Sequence, residues 1–154
     1  MTSGKAPEFD LPALSGGSKS LLDLLSEGPV LLVFYKVACP TCQLTLPYLE
    51  KLGRARTAGA PRVIAISQDD SCATAQFNFR FGISNLTTLL DPPPYRVSNA
   101  YGIENVPSLF LVEQDGRISR SVAGFEKAEM IRLGERCGVE LFTARDRVPV
   151  FQPG

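Results

Sequence analysis

The sequence predicts an α/β fold in which a central mixed β-sheet is flanked by helices. A continuous apolar run at residues 30–35 is typical of a strand that is covered on both faces. A second apolar run follows at residues 63–67, and the helix-type pattern between the two runs favours a right-handed βαβ unit with parallel strands. Later in the chain, Asp115-Gly116 joins two alternating runs, which indicates an antiparallel hairpin in the same sheet.

The N-terminal half begins with an alternating stretch and leads into the predicted βαβ unit. Apolar residues at spacings of three and four indicate helices, whereas Pro47 should bend the helix that contains it. The helix around Pro47 carries Leu44, Tyr48 and Leu52 at a spacing of four. The expected elements are an alternating segment at 6–17, a short helix at 18–25, a strand at 30–35, a helix at 39–56 and a strand at 63–67.

The C-terminal half alternates short elements with turn residues. Gly82 and Gly138 should each end a helix, and Met130, Ile131 and Leu133 should form the apolar face of the last helix. We expect helices at 72–81, 95–101 and 126–137, an extended piece at 86–90, and hairpin strands at 108–112 and 118–123. In the tail, Val148, Val150 and Phe151 should lie along the body of the domain.

The length of 154 residues indicates one domain. At this size about 70% of the surface of the unfolded chain can be buried, so the core needs no disulfide bonds. We therefore expect a single domain over residues 1–154, with an N-terminal segment at 1–29 and an irregular tail at 142–154.

Charge and hydropathy restrict the expected partners. Sixteen Lys and Arg residues offset sixteen Asp and Glu residues, so the net charge of zero does not favour a nucleic-acid partner. No apolar run approaches the roughly 18 residues of a transmembrane helix, and the N-terminus has no apolar stretch of signal-peptide length. We expect a cytoplasmic monomer without a membrane partner, although a chain trimmed of an export signal would give the same pattern.

Two cysteines, Cys39 and Cys42, lie where the first buried strand gives way to a helix. Residues three apart share one face of a helix, so the two sulfurs can form a short-loop disulfide. The free N–H groups and positive dipole of the helix N-terminus favour thiolate, and we expect Cys39 to be the more readily ionised. Pro40 removes one N–H donor, and the Thr41 hydroxyl is expected to replace it.

A Cys-x-x-Cys motif can be a redox dithiol or half of a metal site. A closed zinc or iron-sulfur site needs about four soft ligands. The other cysteines, Cys72 and Cys137, are isolated, and the chain has no histidine. We therefore expect no metal and no cofactor. As a redox dithiol, Cys39 would attack a protein or small-molecule disulfide and Cys42 would resolve the mixed disulfide, with an unidentified electron donor or acceptor completing the cycle.

Further motifs along the chain are residues 6–11, 30–35, Cys39-Pro40-Thr41-Cys42 with Pro47, Ser67, Asp91-Pro92, 101–103, 105–108 and Asp115-Gly116. In these pieces the chain resembles the TlpA/ResA-type thiol-disulfide oxidoreductases in the redoxin (AhpC/TSA) superfamily. The resemblance implies a thioredoxin fold with an N-terminal extension and a helical insertion. It also implies that Val106-Pro107 is a cis peptide beside the two sulfurs, where the Val106 backbone would pair with a substrate strand.

Three positions depart from the family pattern. Ala38 stands where the family usually has Trp before the first cysteine. Val33 stands where thioredoxins have a buried Asp, and Thr45 where some ResA-like proteins have a Glu. Both carboxylate routes for activating Cys42 are therefore missing, and we expect slow or differently assisted resolution.

Two other functions remain open. Peroxiredoxins share the fold, but their pattern places Thr three residues before the reactive Cys, where this chain has Lys36 before Cys39. A thioredoxin-like module could instead bind partner segments along Val106-Pro107 without turnover. Peroxide consumption and insulin reduction distinguish these functions from disulfide exchange.

Three further polar or thiol sites have simpler interpretations. Cys72 should begin its helix on the same edge of the sheet as Cys39, which allows a third redox thiol, but a small buried residue is favoured. Cys137 is interpreted as a packing residue. The Asp69-Asp70 pair is interpreted as a helix cap and not as a metal or acid/base site.

Overall fold

The computed structural model describes residues 4–154, so the first three residues of the predicted N-terminal segment lie outside the described residues. The helices are α1 (Leu21–Leu25), α2 (Pro40–Ala55), α3 (Ser71–Phe81), α4 (Arg96–Ala100) and α5 (Lys127–Cys137). The strands are β1 (Gly4–Lys5), β2 (Asp10–Pro12), β3 (Ser18–Ser20), β4 (Val30–Tyr35), β5 (Arg62–Ser67), β6 (Thr87–Leu90), β7 (Ser108–Val112), β8 (Arg117–Ala123), β9 (Phe125–Glu126) and β10 (Phe151–Gln152).

The main sheet has six strands in the order β1-β8-β7-β4-β5-β6. Strands β4, β5 and β6 are parallel, whereas β7 is antiparallel to both β4 and β8. The predicted βαβ unit and the hairpin at Asp115-Gly116 are both confirmed. The expected mixed sheet is therefore present, and its two central strands, β4 and β7, are buried along their whole length.

Helix α2 connects β4 to β5 and packs on the sheet through one apolar face. Its fully buried apolar residues are Leu46, Leu49 and Leu52. Leu44 and Tyr48, which the spacing also predicts to be apolar contacts, are only partly buried. The buried face of α2 is therefore rotated relative to the predicted one. It also includes Cys42 and Thr45, two small residues that are buried beside the leucines.

The predicted helix at 18–25 is shorter than expected. Residues Ser18–Ser20 form β3, which pairs antiparallel with β2. The side chain of Ser20 accepts a hydrogen bond from the Asp23 N–H at 3.1 Å. Ser20 is therefore the N-cap of α1, and the residues before a cap keep an extended conformation.

Helix α5 ends at Gly138, as predicted, with this glycine in the left-handed region at φ 72°. The predicted apolar face is wrong for Ile131, which is 43% exposed. The buried stripe is formed by Met130, Leu133 and Cys137. These residues follow each other at spacings of three and four, and Ile131 lies to one side of that stripe.

The C-terminal tail contains a strand, although it was predicted to be irregular. Strand β10 pairs antiparallel with β9, and the Lys127 N–H donates to the Val150 carbonyl at 2.9 Å. Val148 is partly buried against the core, as expected. The prediction is wrong for Val150 and Phe151, which are 81% and 53% exposed, because backbone hydrogen bonds and not these side chains hold the tail.

Across residues 4–154, the helices are too short or too polar for any of them to traverse a lipid bilayer.

Candidate active site

The dithiol lies at the N-terminus of α2, directly after the end of β4 and a short loop. Cys39 is the N-cap residue of α2, with extended backbone, and its sulfur accepts a hydrogen bond from the Cys42 N–H at 3.1 Å. Pro40 is at the start of the helix, where its missing N–H removes no intrahelical bond. The predicted placement of both cysteines in the first turn is confirmed.

The sulfur of Cys39 is accessible at the N-terminal end of α2. It is partly exposed, and the positive end of the α2 dipole stabilises negative charge at this position. In the thiol form, Cys39 donates to the Val106 carbonyl oxygen at 3.4 Å. One accessible sulfur therefore faces both the helix N-terminus and the backbone of Val106.

The sulfur of Cys42 is in a contrasting environment. Cys42 is 0% exposed, and this burial raises the pKa of its thiol far above the ordinary value, with the hydrogen bond to Cys39 adding to the shift. The negative charge of Asp69 acts in the same direction. Cys42 therefore keeps its proton near neutral pH.

Within residues 4–154, no carboxylate is hydrogen-bonded to the Cys42 sulfur. Asp69 accepts the Val37 N–H at 2.9 Å instead. Val33 and Thr45 are both completely buried, and the Thr45 hydroxyl donates to the Thr41 carbonyl at 2.7 Å. The two positions at which the family resemblance leads us to expect a carboxylate thus hold a methyl-bearing side chain and a hydroxyl that is already bonded.

The Thr41 hydroxyl does not take the role predicted for it. It donates to the Pro153 carbonyl at 2.6 Å and accepts from the Gln152 side-chain amide at 2.8 Å. Both bonds point toward the C-terminal tail, so this hydroxyl does not replace the N–H that Pro40 lacks. The donor to the Cys39 sulfur is the Cys42 N–H.

Val106 and Pro107 lie beside the dithiol, as the family resemblance implies. The peptide bond between them is cis. Val106 accepts the Cys39 thiol through its carbonyl, and the Pro107 carbonyl accepts the Gly124 N–H at 2.8 Å. The loop before β7 is thus held between the dithiol and the start of β9.

A cavity of about 400 Å³ opens beside Cys39. Lys36 lies on its wall, with its ammonium group 5.6 Å from the ring centroid of Tyr95. Gln68 donates to the Ser98 hydroxyl at 3.0 Å, and Ser98 donates in turn to Asp91 at 2.6 Å. Sequence reasoning missed this polar wall, although Gln68 directly follows β5 at the edge where parallel strands end and sites commonly form.

Comparison with known proteins agrees with this geometry. Residues 2–121 match the AhpC/TSA family. The chain belongs to this family. The thiol-disulfide oxidoreductase ResA of Halalkalibacterium halodurans is 32% identical over 129 residues, which cover 82% of this chain and 71% of that relative.

Two solved structures show the same fold. A crystal structure described as a thiol:disulfide interchange protein DsbE from Chlorobium tepidum has a TM-score of 0.77 and 25% identity, and the match covers 88% of this chain and 95% of that one. The thioredoxin domain of a thiol-disulfide oxidoreductase from Bacteroides vulgatus has a TM-score of 0.75 and 22% identity over 88% and 97% of the two chains. The predicted thioredoxin fold and the predicted enzyme class, a thiol-disulfide oxidoreductase, are confirmed.

The remaining thiols of this AhpC/TSA family member lie outside the dithiol pair. Cys72 is exposed, so the prediction of a small buried residue is wrong, because the first turn of α3 turns this position to solvent. Cys137 is buried as expected, and burial raises the pKa of its thiol.

The two acidic residues before α3 accept hydrogen bonds from backbone N–H groups. Asp70 caps α3 by accepting the Ala73 N–H at 2.8 Å, which confirms the capping interpretation, while its neighbour Asp69 bonds Val37. In the part of the chain from 4 to 154, no three His, Cys, Asp or Glu residues are grouped in a way that would hold a metal ion.

Proposed function

We propose that the Cys39/Cys42 pair exchanges electrons with protein or small-molecule disulfides, with Cys39 as the attacking sulfur. The observation that carries the proposal is the asymmetry of the pair. The Cys39 sulfur is partly exposed and accepts a helix N-terminal N–H at 3.1 Å, whereas Cys42 is fully buried. A disulfide in solution can therefore reach only the first of the two sulfurs.

The exchange proceeds in two balanced steps. The Cys39 thiolate attacks one sulfur of the substrate disulfide, so that a Cys39–substrate bond forms and the substrate S–S bond breaks. The departing thiolate takes up a proton. Cys42, after losing its proton, attacks the Cys39 sulfur, and the second substrate thiolate leaves as the Cys39–Cys42 disulfide forms. The substrate gains two electrons and the dithiol loses two, which an external dithiol donor restores.

Substrate contact is proposed at Val106 and Pro107. The Val106 carbonyl lies 3.4 Å from the Cys39 sulfur, so an extended substrate segment along this backbone would carry its disulfide to the attacking atom. Strand-like pairing with the backbone depends little on side-chain identity, so segments of different sequence can bind where the Val106 backbone is accessible.

The loss of the Cys42 proton limits the second step. Burial raises the pKa of this thiol, and no carboxylate among the described residues is bonded to it. The proton therefore passes to water or hydroxide. Resolution is then slow near neutral pH and faster in alkaline solution.

Insulin reduction with dithiothreitol as electron donor tests the proposal. The chain is expected to accelerate reduction above the rate of dithiothreitol alone, and Cys72→Ser, which changes an exposed thiol outside the site, should match the original protein. A rate equal to that of buffer would favour a binding module, and hydrogen peroxide consumption far above that of free cysteine would favour a peroxidase.

Equilibration with glutathione redox buffers gives the reduction potential, and hence the direction of exchange.

The finer properties of the protein are also proposals. A cytoplasmic location is supported by the exposed free thiol of Cys72, which suits a reducing compartment. The zero net charge supports redox partners without a nucleic-acid partner, and we also propose a monomer. Size-exclusion chromatography with light scattering tests the oligomeric state. Fusion to a reporter that is active only outside the cytoplasm tests the location.

A further inference from the structure

The C-terminal tail runs from β10 directly to the dithiol. Strand β10 pairs with β9, with Gln152 opposite Phe125. A Cβ atom on Gly124 would lie 2.7 Å from the Gln152 carbonyl oxygen, so the tail lies close against the chain at the start of β9. Residues 152–154 then continue toward Val106.

Thr41, the residue between Pro40 and Cys42, binds this segment on one side. The Thr41 hydroxyl donates to the Pro153 carbonyl at 2.6 Å and accepts from the Gln152 amide at 2.8 Å. These two bonds join the first turn of α2 to residues more than one hundred positions away in sequence. They hold the tail next to the turn that carries both sulfurs.

Gly154 covers the Val106 backbone on the other side. A Cβ atom placed on Gly154 would lie 2.0 Å from the Val106 carbonyl oxygen and 3.2 Å from the Val106 nitrogen. The glycine α-carbon therefore rests against the same peptide group whose oxygen accepts the Cys39 thiol. A substrate strand and residue 154 require the same space at this backbone.

We propose that residues 152–154 form an internal cap on Val106 that selects small disulfides over disulfides in protein segments. This inference rests on the proposed exchange at Cys39. Small disulfides would enter through the cavity of about 400 Å³, whose other wall carries Lys36 and Tyr95, and that volume is in the range of pockets for small ligands. An extended protein segment must first displace the tail from Val106.

The cap is held weakly enough to open. Strand β10 ends at Gln152, so Pro153 and Gly154 lie beyond its pairing with β9. Among the described residues, the side-chain hydrogen bonds that hold residues 152–154 are the two at Thr41, and bonds of this kind contribute little net free energy. Val150 and Phe151 are exposed and add no buried anchor. The closed and open tail therefore exchange, and protein disulfides react through the open fraction.

The test compares two substrates with tail variants of the full chain. Gln152→Ala combined with Gly154→Ala removes one Thr41 bond and places a methyl group against the Val106 oxygen. The value of kcat/KM for insulin should rise about threefold to tenfold, as expected for the loss of one or two weak contacts. The value for a small aromatic disulfide should stay the same. Val150→Ala, which changes an exposed tail side chain away from Thr41 and Val106, is the matched control and should change neither value.

The outcomes separate the inference from the function on which it rests. If the folded double variant shows an unchanged kcat/KM for insulin, or an equal rise in kcat/KM for both substrates, the proposed cap is wrong. Gln152→Ala alone keeps Gly154 and should give a smaller rise for insulin only, so the test does not depend on the double variant folding. Absence of activity of the original protein on both disulfides would overturn the proposed exchange itself, and the cap with it.

Discussion

The two ends of α2 each bury an ionisable side chain, but they supply it with hydrogen bonds very differently. Near the C-terminal end, Glu50 is 5% exposed, and its carboxylate accepts the Asn85 N–H at 3.0 Å and the Arg54 Nε–H at 2.6 Å. The Leu86 N–H adds a third donor at 3.3 Å. At the N-terminal end, Cys42 is equally buried but has no carboxylate and no cation bonded to its sulfur among the described residues.

The comparison shows that burial of an ionisable group does not by itself mark a reactive site. Glu50 accepts hydrogen bonds from Arg54 and from two backbone N–H groups of the loop before β6, so it fixes α2 to that loop, and its removal would leave these donors without their acceptor. Among the described residues, no cation is bonded to the Cys42 sulfur to stabilise its thiolate. The rate at which Cys42 reacts therefore depends on the fraction of this thiol that has lost its proton. Glu50 therefore anchors the C-terminal end of α2, whereas the N-terminal end carries the two sulfurs that are proposed to form and break disulfide bonds.

The largest expected effect is the loss of exchange in Cys39→Ser. A serine hydroxyl does not ionise near neutral pH, so the first step should slow by about a thousandfold or more. Insulin reduction measures the loss. Cys72→Ser serves as the control for removing a thiol, and an active Cys39→Ser enzyme would remove Cys39 from the mechanism.

At the anchor end, Glu50→Ala should lower the free energy of unfolding by about 2 kcal/mol, because the Asn85 and Leu86 N–H groups and Arg54 lose their acceptor. Urea unfolding measures this change. Activity per folded molecule should be unaffected, since Glu50 is remote from the sulfurs. Glu27→Ala, at an exposed ion pair of 3.8 Å with Arg62, is the control and should cost under about 0.5 kcal/mol. Similar losses in the two variants would contradict the anchor role.

At the reactive end, release of substrate from the Cys39 mixed disulfide should accelerate about tenfold per pH unit between about pH 6 and 8. The reason is that the thiolate fraction of Cys42 grows in proportion to hydroxide as long as the pH is below its raised pKa. Single-turnover kinetics with a fluorescent peptide disulfide measure this step. A rate that is constant over this range would indicate that Cys42 is already ionised. The thiolate of Cys42 would then be stabilised, which contradicts the difference between Cys42 and Glu50.

The smallest effect concerns a partly exposed ion pair far from both ends of α2. The hydrogen bonds of Glu113 to Arg136, and secondarily to Ser119, lower the pKa of Glu113 from 4.5 to about 2. The folded-state pKa is the lower one, so this stabilisation is present above pH 4.5 and is lost as the pH falls toward 2. Because Arg136 is 43% exposed, Glu113→Gln should cost only about 0.5–1 kcal/mol at pH 7.

Urea unfolding at pH 7 and at pH 3 checks the Glu113 prediction. The difference between Glu113→Gln and the original protein should shrink at the lower pH. A difference that grows on acidification would show that the direction of the pKa shift is wrong.

Local patterns in the sequence predicted the parts of the site that depend on near neighbours. The run at β4, the turn at Asp115-Gly116 and the spacing of Cys39 and Cys42 each determine structure within a few residues. The position of Val106 beside Cys39 came from the family resemblance, since the two residues are 67 positions apart.

Features that depend on distant packing were not predictable in the same way. The direction of the Thr41 hydroxyl is decided by Pro153, which is 112 positions away. Val150 and Phe151 are apolar, but backbone pairing with β9 leaves their side chains exposed. Hydrophobicity alone predicts that such residues are buried. Their exposure follows from the position of the partner strand β9, which the sequence does not reveal.

The most direct test of the central claim, that Cys39 attacks and Cys42 resolves, is mass spectrometry of Cys42→Ser after reaction with a peptide disulfide. With the resolving thiol removed, the peptide should remain attached to Cys39 in nearly stoichiometric amount, while Cys72 and Cys137 carry little or none. Attachment mainly at Cys72, or continued turnover of Cys42→Ser with no trapped peptide, would contradict the division of roles between the two sulfurs.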